Sequence, residues 1–338
     1  VAPPASESVP QAAPLAAPPG LIGRRAALAA LQAAWRDASA GRRRIVWVSG
    51  EAGIGKTTLI DGFTAALGTG ARVIHGQCVE QIGSGEPYGP ILDALAMLCR
   101  NEPDVVALLR AVAPTWLLQL PWLGDDDTRS ALQRELTGAT QGRMLRELAE
   151  WLERTTQARP LLLVTEDLHW SDHATIQLLD HLARRRQPAR LLWLASCRPA
   201  DVIASGHPFG SLRHELRLHG LGTELALDPF SEQEVGAFLD ARLAPGERPP
   251  DDFIRRLHAH TDGLPLFVAA ATAELLDARH KRQDDGGPRP NTAGTDTAGA
   301  DTTGTDVMGT DATRTEAAGA DAWSRLALTA APASLTGV

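Results

Sequence analysis

Short apolar runs alternate with amphipathic stretches over the first two thirds of the chain. Ile45-Val-Trp-Val48 is apolar throughout and is followed by Gly50, the pattern of a buried strand. From Lys56 to Leu67 the large apolar residues Leu59, Ile60, Phe63 and Leu67 recur at helical spacing, and Gly68 lies just past the end. Further apolar runs predict strands over Ala71 to His75, Leu161 to Thr165, Leu191 to Ala195 and near Glu224 to Leu227. A helix is expected over Ala26 to Trp35, ahead of the basic run Arg42-Arg43-Arg44. Residues 84–157 read as mostly helical, interrupted at Pro87, Pro90, Pro103, Pro114 and Pro121. Strands separated by helical stretches imply an α/β fold, a parallel sheet with crossover helices. Trp47, Trp116, Trp122 and Trp193 sit in apolar contexts and are expected in the core.

The pattern then changes. Ser231 and Glu234 form a capping box ahead of Val235, Phe238 and Leu239. Pro250-Asp251 opens another helix, which stops near Gly263, and Pro265 starts a third, running to about His280. From Gly294 onward Gly and an acid recur every five residues, at Asp296, Asp301, Asp306, Asp311, Glu316 and Asp321. Such a segment holds too few large apolar groups to offset the entropy of ordering it. Single acids at that spacing also make a poor calcium shell of six to eight oxygens. The division expected is a Pro/Ala-rich linker over 1–19, a core over 20–228, a helical lid over 229–282, a disordered linker over 283–322, and the start of a truncated segment over 323–338. The chain opens on Val1 rather than Met, so it reads as a piece of a longer protein.

Composition narrows the function classes. The 338 residues carry a net charge of −8, which argues against a nucleic-acid binder relying on a basic surface. Cys78, Cys99 and Cys197 are too far apart for a zinc motif and odd in number, which favours a reducing cytoplasm over a disulfide framework. No apolar run reaches the roughly 20 residues that span a bilayer. Lys56 and Lys281 are the only lysines among the 33 basic residues; the rest are Arg. A chain that uses Arg almost everywhere keeps Lys at position 56.

That lysine lies in Gly50-Glu51-Ala52-Gly53-Ile54-Gly55-Lys56-Thr57-Thr58, a full match to the phosphate-loop pattern G-x-x-x-x-G-K-[ST], between an apolar strand and an amphipathic helix. The glycines let backbone N–H groups point inward at phosphate oxygens, and the helix adds its positive end. Lys56 supplies a point charge to the β- and γ-phosphates, and Thr57 offers a hydroxyl to Mg²⁺. The planar fork of an Arg is too bulky for that interior. The second acidic element is Leu161-Leu-Leu-Val-Thr-Glu166-Asp167, a strand ending in two carboxylates. One such acid holds Mg²⁺ and the other orients or deprotonates the attacking water. Glu166 is assigned to the metal and Asp167 to the water, with exchanged or shared roles left open. The strand over 191–195 leads into Ser196-Cys197-Arg198, whose cation is placed to sense the γ-phosphate. His169 and His173 are four apart, but without a Glu arranged between them as in metallopeptidases they read as structural or surface residues.

Taken in order, Leu21-Ile-Gly23-Arg24, the phosphate loop, Glu166-Asp-Leu-His-Trp-Ser-Asp172, Ser196-Cys-Arg198 and His260-Thr-Asp-Gly-Leu-Pro-Leu266 resemble the ATPase module of STAND-class regulators within the AAA+/NB-ARC-like superfamily. Cys78-Val-Glu-Gln81, Gly85-Glu-Pro-Tyr88, Ala113-Pro-Thr-Trp-Leu117 and, beyond the module, Ala331-Pro-Ala-Ser-Leu335 are similar to that group too. The resemblance spans about 20–282. It implies that Gly23 and Arg24 border the adenine and that Gly263 and Pro265 form a lid element docking on the nucleotide. It also implies ATP and Mg²⁺ as cofactors. The expected function is a slowly hydrolysing ATP switch in a signal-responsive transcriptional regulator. Self-association or contacts with flanking domains are expected, with DNA reached only through parts outside this segment and no membrane partner. Glu166 stands where Asp is common in the family, which loosens the division of labour between the two acids. The rival expectations are a nucleotide-bound scaffold that never hydrolyses and, further off, a DNA-associated remodelling motor.

Overall fold

The computed structural model describes residues 21–80, 86–123, 130, 133–134, 136, 140–243 and 248–285. The tether over 1–19, most of the linker over 283–322 with its weighed calcium reading, and the segment over 323–338 lie outside the described residues, as do parts of the motifs near 81–85. The described chain falls into two compact units that meet between Asp228 and Pro229.

The first unit is a five-stranded parallel sheet with helical crossovers. Its strands are β1 (Arg44–Ser49), β2 (Arg72–Gln77), β3 (Leu161–Glu166), β4 (Leu191–Cys197) and β5 (Thr223–Ala226), in the spatial order β2-β3-β4-β1-β5. β3 and β4 are buried along nearly their whole length, as parallel strands covered on both faces must be. Between β1 and β2 the chain forms α2 (Lys56–Leu67), and α1 (Arg25–Ser39) precedes β1. Between β2 and β3 lie α3 (Gly89–Asn101), α4 (Pro103–Val112), the short α5 (Pro114–Leu117) and α6 (Gln141–Ala158). Pro90, Pro103 and Pro114 each sit in a helix's first turn, so these prolines start helices. β3 leads through a 3₁₀ turn (Leu168–Trp170) into α7 (His173–Arg184).

Two short helices, α8 (Pro199–Ala204) and α9 (Phe209–Leu218), fill the β4–β5 connection, which the sequence pattern left unassigned. Phe209, Leu212 and Leu216 of α9 are buried, and the ring of Phe209 meets that of Trp47 edge-on at 5.7 Å. Trp47, Trp116 and Trp193 are fully buried. Trp122 departs from expectation: it is 46% exposed, in a 3₁₀ turn at the rim, with the Arg100 guanidinium 5.1 Å from its ring centroid. Arg185, the residue that closes α7, forks onto the buried Glu153 of α6 at 2.7 and 2.8 Å. Arg43 reaches the same carboxylate at 3.3 Å, so one acid on α6 joins the residue before β1 to the residue after α7.

All three cysteines are free and buried. Burial pushes the Cys78 and Cys197 thiols up to about 12 and that of Cys99 up to about 11. Only thiolates react at useful rates. Iodoacetamide at pH 8 is therefore expected to leave all three unmodified in the folded protein and to alkylate all three in denaturant. Intact mass reads both; an adduct on the folded chain would show that the burial is not maintained in solution.

The second unit holds α10 (Glu232–Asp240), α11 (Asp251–Thr261) and α12 (Pro265–Asp285). The Ser231–Glu234 capping box forms in full at the start of α10. Phe230 N–H donates to Gly263 O at 2.7 Å, tying the unit's entry to the α11–α12 turn. α12 runs to Asp285, past the expected end near His280. No helix of the described residues is long and apolar enough to cross a membrane.

Candidate functional site

Parallel strands deliver their carboxyl ends to one edge of a sheet, and loops at that edge carry the chemistry. Here the middle of the sheet is β3-β4-β1, so the acidic strand end, the Arg198 turn and the phosphate loop sit side by side. Gly50 N–H donates to Cys197 O at 3.3 Å, and Leu227 N–H donates to Ser49 O at 2.8 Å, fixing the loop between its two neighbours.

The loop's glycines have distinct reasons to be there. A side chain on Gly50 would bring its Cβ within 2.9 Å of Ile54 Cγ2 and 3.2 Å of Leu227 O. Gly55 has open space around it, but its φ of 95° is one that L side chains rarely adopt. Gly55 is also the N-cap of α2, so the helix starts without a side-chain cap and its first-turn N–H groups face the loop. Ile54 is buried, Gly53 is half-buried, and Glu51, Ala52 and Thr58, the last in α2, are exposed.

Lys56 is buried, and its Nζ donates to Gly50 O at 2.8 Å and to Glu51 O at 2.9 Å. Burial first, and the Arg198 cation second, hold its ammonium below the usual lysine value, while Asp167 pulls the other way. A buried ammonium satisfied by two loop carbonyls is ready to exchange them for phosphate oxygens. Thr57 Oγ1 donates to Glu166 Oε2 at 2.6 Å. A hydroxyl and a carboxylate brought that close suit Mg²⁺, which takes one or two carboxylates and keeps other positions for phosphate and water. The uncapped helix start, the buried cation and this oxygen pair fit a magnesium–nucleotide phosphate tail.

Asp167 is held differently. It adopts left-handed backbone (φ 55°, ψ 47°), which Asp tolerates better than most residues, and its N–H donates to Ser196 Oγ at 2.9 Å. Gln77 Nε2 lies 3.4 Å from Asp167 Oδ2. Arg198, at the turn into α8, has Nη1 3.6 Å from Asp201 Oδ2 and its guanidinium 5.2 Å from the Trp170 ring centroid. The structure thus brings together Lys56, Thr57, Glu166, Asp167 and Arg198.

Gly23 and Arg24 lie at the start of α1. The Arg24 side chain is buried and donates to Ile54 O and Asp228 O, both at 2.8 Å. It braces the phosphate loop against the segment after β5, a clamp that sequence reasoning missed because its acceptors are backbone carbonyls 30 and 204 residues away. Ser196 and Gln77 were missed too. The strand ends mark their positions, but only the β2-β3-β4 order brings them to Asp167. Pro265 opens α12 in the second unit. An open cavity of about 670 Å³ lies elsewhere, lined by Gln141, Leu145, Ile176, His181, Leu212 and neighbours on α6, α7 and α9; no phosphate-loop residue lines it.

Residues 20–194, just over half of the chain, match the family described as AAA ATPase domain. Solved structures similar in fold include a Walker-type ATPase of Pyrococcus abyssi (15% identity, TM-score 0.44, covering 76% of this chain and 68% of that one). A variant of Thermotoga maritima RuvB aligns at 17% identity and TM-score 0.42, over 79% of this chain and 67% of that one. A chain in the structure of Drosophila ORC bound to DNA aligns at 13% identity and TM-score 0.46, over 79% of this chain and 58% of that one. This chain therefore spans about two thirds or less of these structures' lengths. No curated protein matches the sequence.

Proposed function

The chain belongs to the AAA ATPase domain family, and from that premise we propose that it is a nucleotide-operated switch of the STAND class, the ATP-binding part of a signal-responsive regulator. The observation that carries the reading is the 2.6 Å bond between Thr57 Oγ1 and Glu166 Oε2 beside a buried Lys56. It joins the phosphate loop to the acidic strand where a metal-bound γ-phosphate belongs. In this reading Gly50 to Thr58 wrap the phosphates, Lys56 neutralises the β- and γ-oxygens, and Thr57 with Glu166 holds Mg²⁺. When bound there, the ion would supply charge neutralisation to the phosphate tail. Asp167 orients the attacking water and takes its proton. Arg198 answers the γ-phosphate, and loses its target once only ADP remains. Gly23 and Arg24 border the adenine, the base meeting their backbone while the Arg24 guanidinium holds the loop. Gly263 and Pro265 belong to a lid whose docking follows the nucleotide. Self-association, or contact with flanking domains, then reads the lid's state, and DNA is reached only through parts outside this segment.

A switch needs a free-energy difference. Inverting a 1:99 population takes a ligand preference of about 5.5 kcal/mol between states. The γ-phosphate contacts of Lys56 and Arg198, absent with ADP, are the available source. The test is a titration with a fluorescent ATP analogue with and without Mg²⁺. The wild type is expected to bind more tightly with Mg²⁺, and Thr57→Ala to lose about tenfold of that gain, the worth of one strong polar contact. A wild-type chain that binds no nucleotide overturns the reading.

A further inference from the structure

His169 lies in the 3₁₀ turn that follows Asp167, and its side chain is fully buried. Neither ring nitrogen has a hydrogen-bond partner, which is uncommon for a buried polar group. Two carboxylates flank the ring at distances just short of, or misaligned for, a bond. Nδ1 is 4.0 Å from Asp167 Oδ1, and Nε2 is 3.4 Å from Asp201 Oδ2. Asp201 is in turn the carboxylate nearest to Arg198, at 3.6 Å, and Arg198 Nε is itself buried without a partner. The Trp170 ring packs on both, 4.7 Å from the His169 ring and 5.2 Å from the Arg198 guanidinium. Asp167 and Arg198 are thus linked by a chain of side chains, none of them fully bonded.

Burial, aided by the Arg198 and Lys56 cations, holds the His169 imidazole below the ordinary histidine value, against the pull of Asp167 and Asp201. A neutral imidazole has one N–H and one lone pair. It can donate to Asp167 or to Asp201 but not to both, and its lone pair repels whichever carboxylate it faces. The two arrangements exclude each other.

We propose that His169 is a positioning residue that couples Arg198 to Asp167 by way of Asp201. The proposal rests on the reading above, in which Arg198 meets the γ-phosphate and Asp167 handles the water. With Arg198 on Asp201, the His169 proton resides on Nδ1, toward Asp167, and occupies it. When the γ-phosphate draws Arg198 away, Asp201 loses its cation and the ring takes its other tautomer: Nε2 receives a proton from solvent by way of the half-exposed Asp201, Nδ1 gives one up to solvent past the partly exposed Asp167, and the new Nε2–H donates to Asp201. Asp167 is then released to the attacking water. ATP arrival and activation of the acid become one event.

The experiment compares ATP and ADP affinities by equilibrium binding, so it needs no turnover. His169→Phe keeps an aromatic ring against Trp170 but removes the N–H, leaving Asp201 without a donor when Arg198 departs. The ATP-over-ADP preference is expected to fall about fivefold, the low end of site-to-site couplings because Asp201 is partly hydrated, with ADP affinity unchanged. His169→Gln, which keeps an N–H donor, is expected to retain the preference. Adding Asp201→Asn to His169→Phe removes the carboxylate that needed the donor and is expected to restore it, which a merely structural defect at His169 could not do. Asp201→Asn alone, at a partly exposed position, keeps the test available if His169→Phe does not fold; it is expected to hold or raise the preference. An unchanged preference in His169→Phe, no recovery in the double variant, or a fall in Asp201→Asn alone overturns the proposal. Lys56→Ala in the same series separates the two levels. Wild-type affinity there sinks the site itself, whereas lost affinity with an unmoved His169→Phe sinks only the coupling.

Discussion

Replacing Lys56 with alanine is expected to lower ATP affinity by about 100-fold, the worth of one or two charge-assisted hydrogen bonds. The geometry makes this loss one-sided. In the free protein the Lys56 ammonium is buried, held below its usual value by burial and by Arg198, and bonded only to the Gly50 and Glu51 carbonyls. A cation in that position is poorly compensated until an anion arrives. A lowered lysine pKa means that the folded state disfavours the charged form, so below the folded-state pKa the charge works against folding and removing it relieves that penalty. The substitution should therefore cost little stability without nucleotide, within about 1 kcal/mol, while the gain from ligand binding disappears. Two measurements check it: calorimetric titration with ATP, and thermal unfolding with and without ATP and Mg²⁺. Equal ATP affinity in both proteins would remove Lys56 from the site. Lys56→Arg is expected to fail almost as badly, because the space between Gly50 O and Glu51 O admits a single ammonium and not a planar fork.

Much of this site is legible from sequence because its parts are local. The phosphate loop is one continuous run, and its neighbours β1 and α2 announce themselves by apolar period. Glu166-Asp167 marks itself as two acids closing an apolar strand. What the sequence hides is whatever depends on strand order. That Arg198 stands between the acids and the loop follows from β4 pairing with both β3 and β1, which no local pattern specifies. Ser196 and Gln77 act on Asp167 through the same order, and Arg24 acts on Ile54 through a fold-wide contact. Trp122 misled for the opposite reason. Its local context is apolar, but it falls in a turn at the rim, where one face of the ring is covered by Arg100. The helices α8 and α9 were missed because Ser205, Gly206, His207 and Pro208 interrupt the pattern between them, although the buried spacing of Phe209, Leu212 and Leu216 was there to read.

Asp167→Asn is expected to slow phosphate release by two to four orders of magnitude, the usual contribution of a positioned general base, while ATP and ADP affinities stay within about threefold of wild type. The substitution is close to isosteric where it matters. Asn tolerates the left-handed backbone that Asp167 adopts, and the N–H donated to Ser196 is unaffected. What is lost is the carboxylate's ability to accept a proton from water. Glu166 differs because its Oε2 accepts from Thr57, so Glu166→Gln should weaken the Mg²⁺ dependence of binding as well as turnover. The pair of variants therefore separates metal holding from water activation, two roles that adjacent acids on one strand end leave exchangeable in the sequence. Single-turnover release of labelled phosphate, measured beside binding in the presence and absence of Mg²⁺, reads both. If Glu166→Gln stops release with Mg²⁺-dependent binding intact while Asp167→Asn weakens binding, the two acids have exchanged places. If the wild type binds ATP but releases no phosphate even when self-associated, Asp167 has no water to activate and the module works as a nucleotide-bound scaffold.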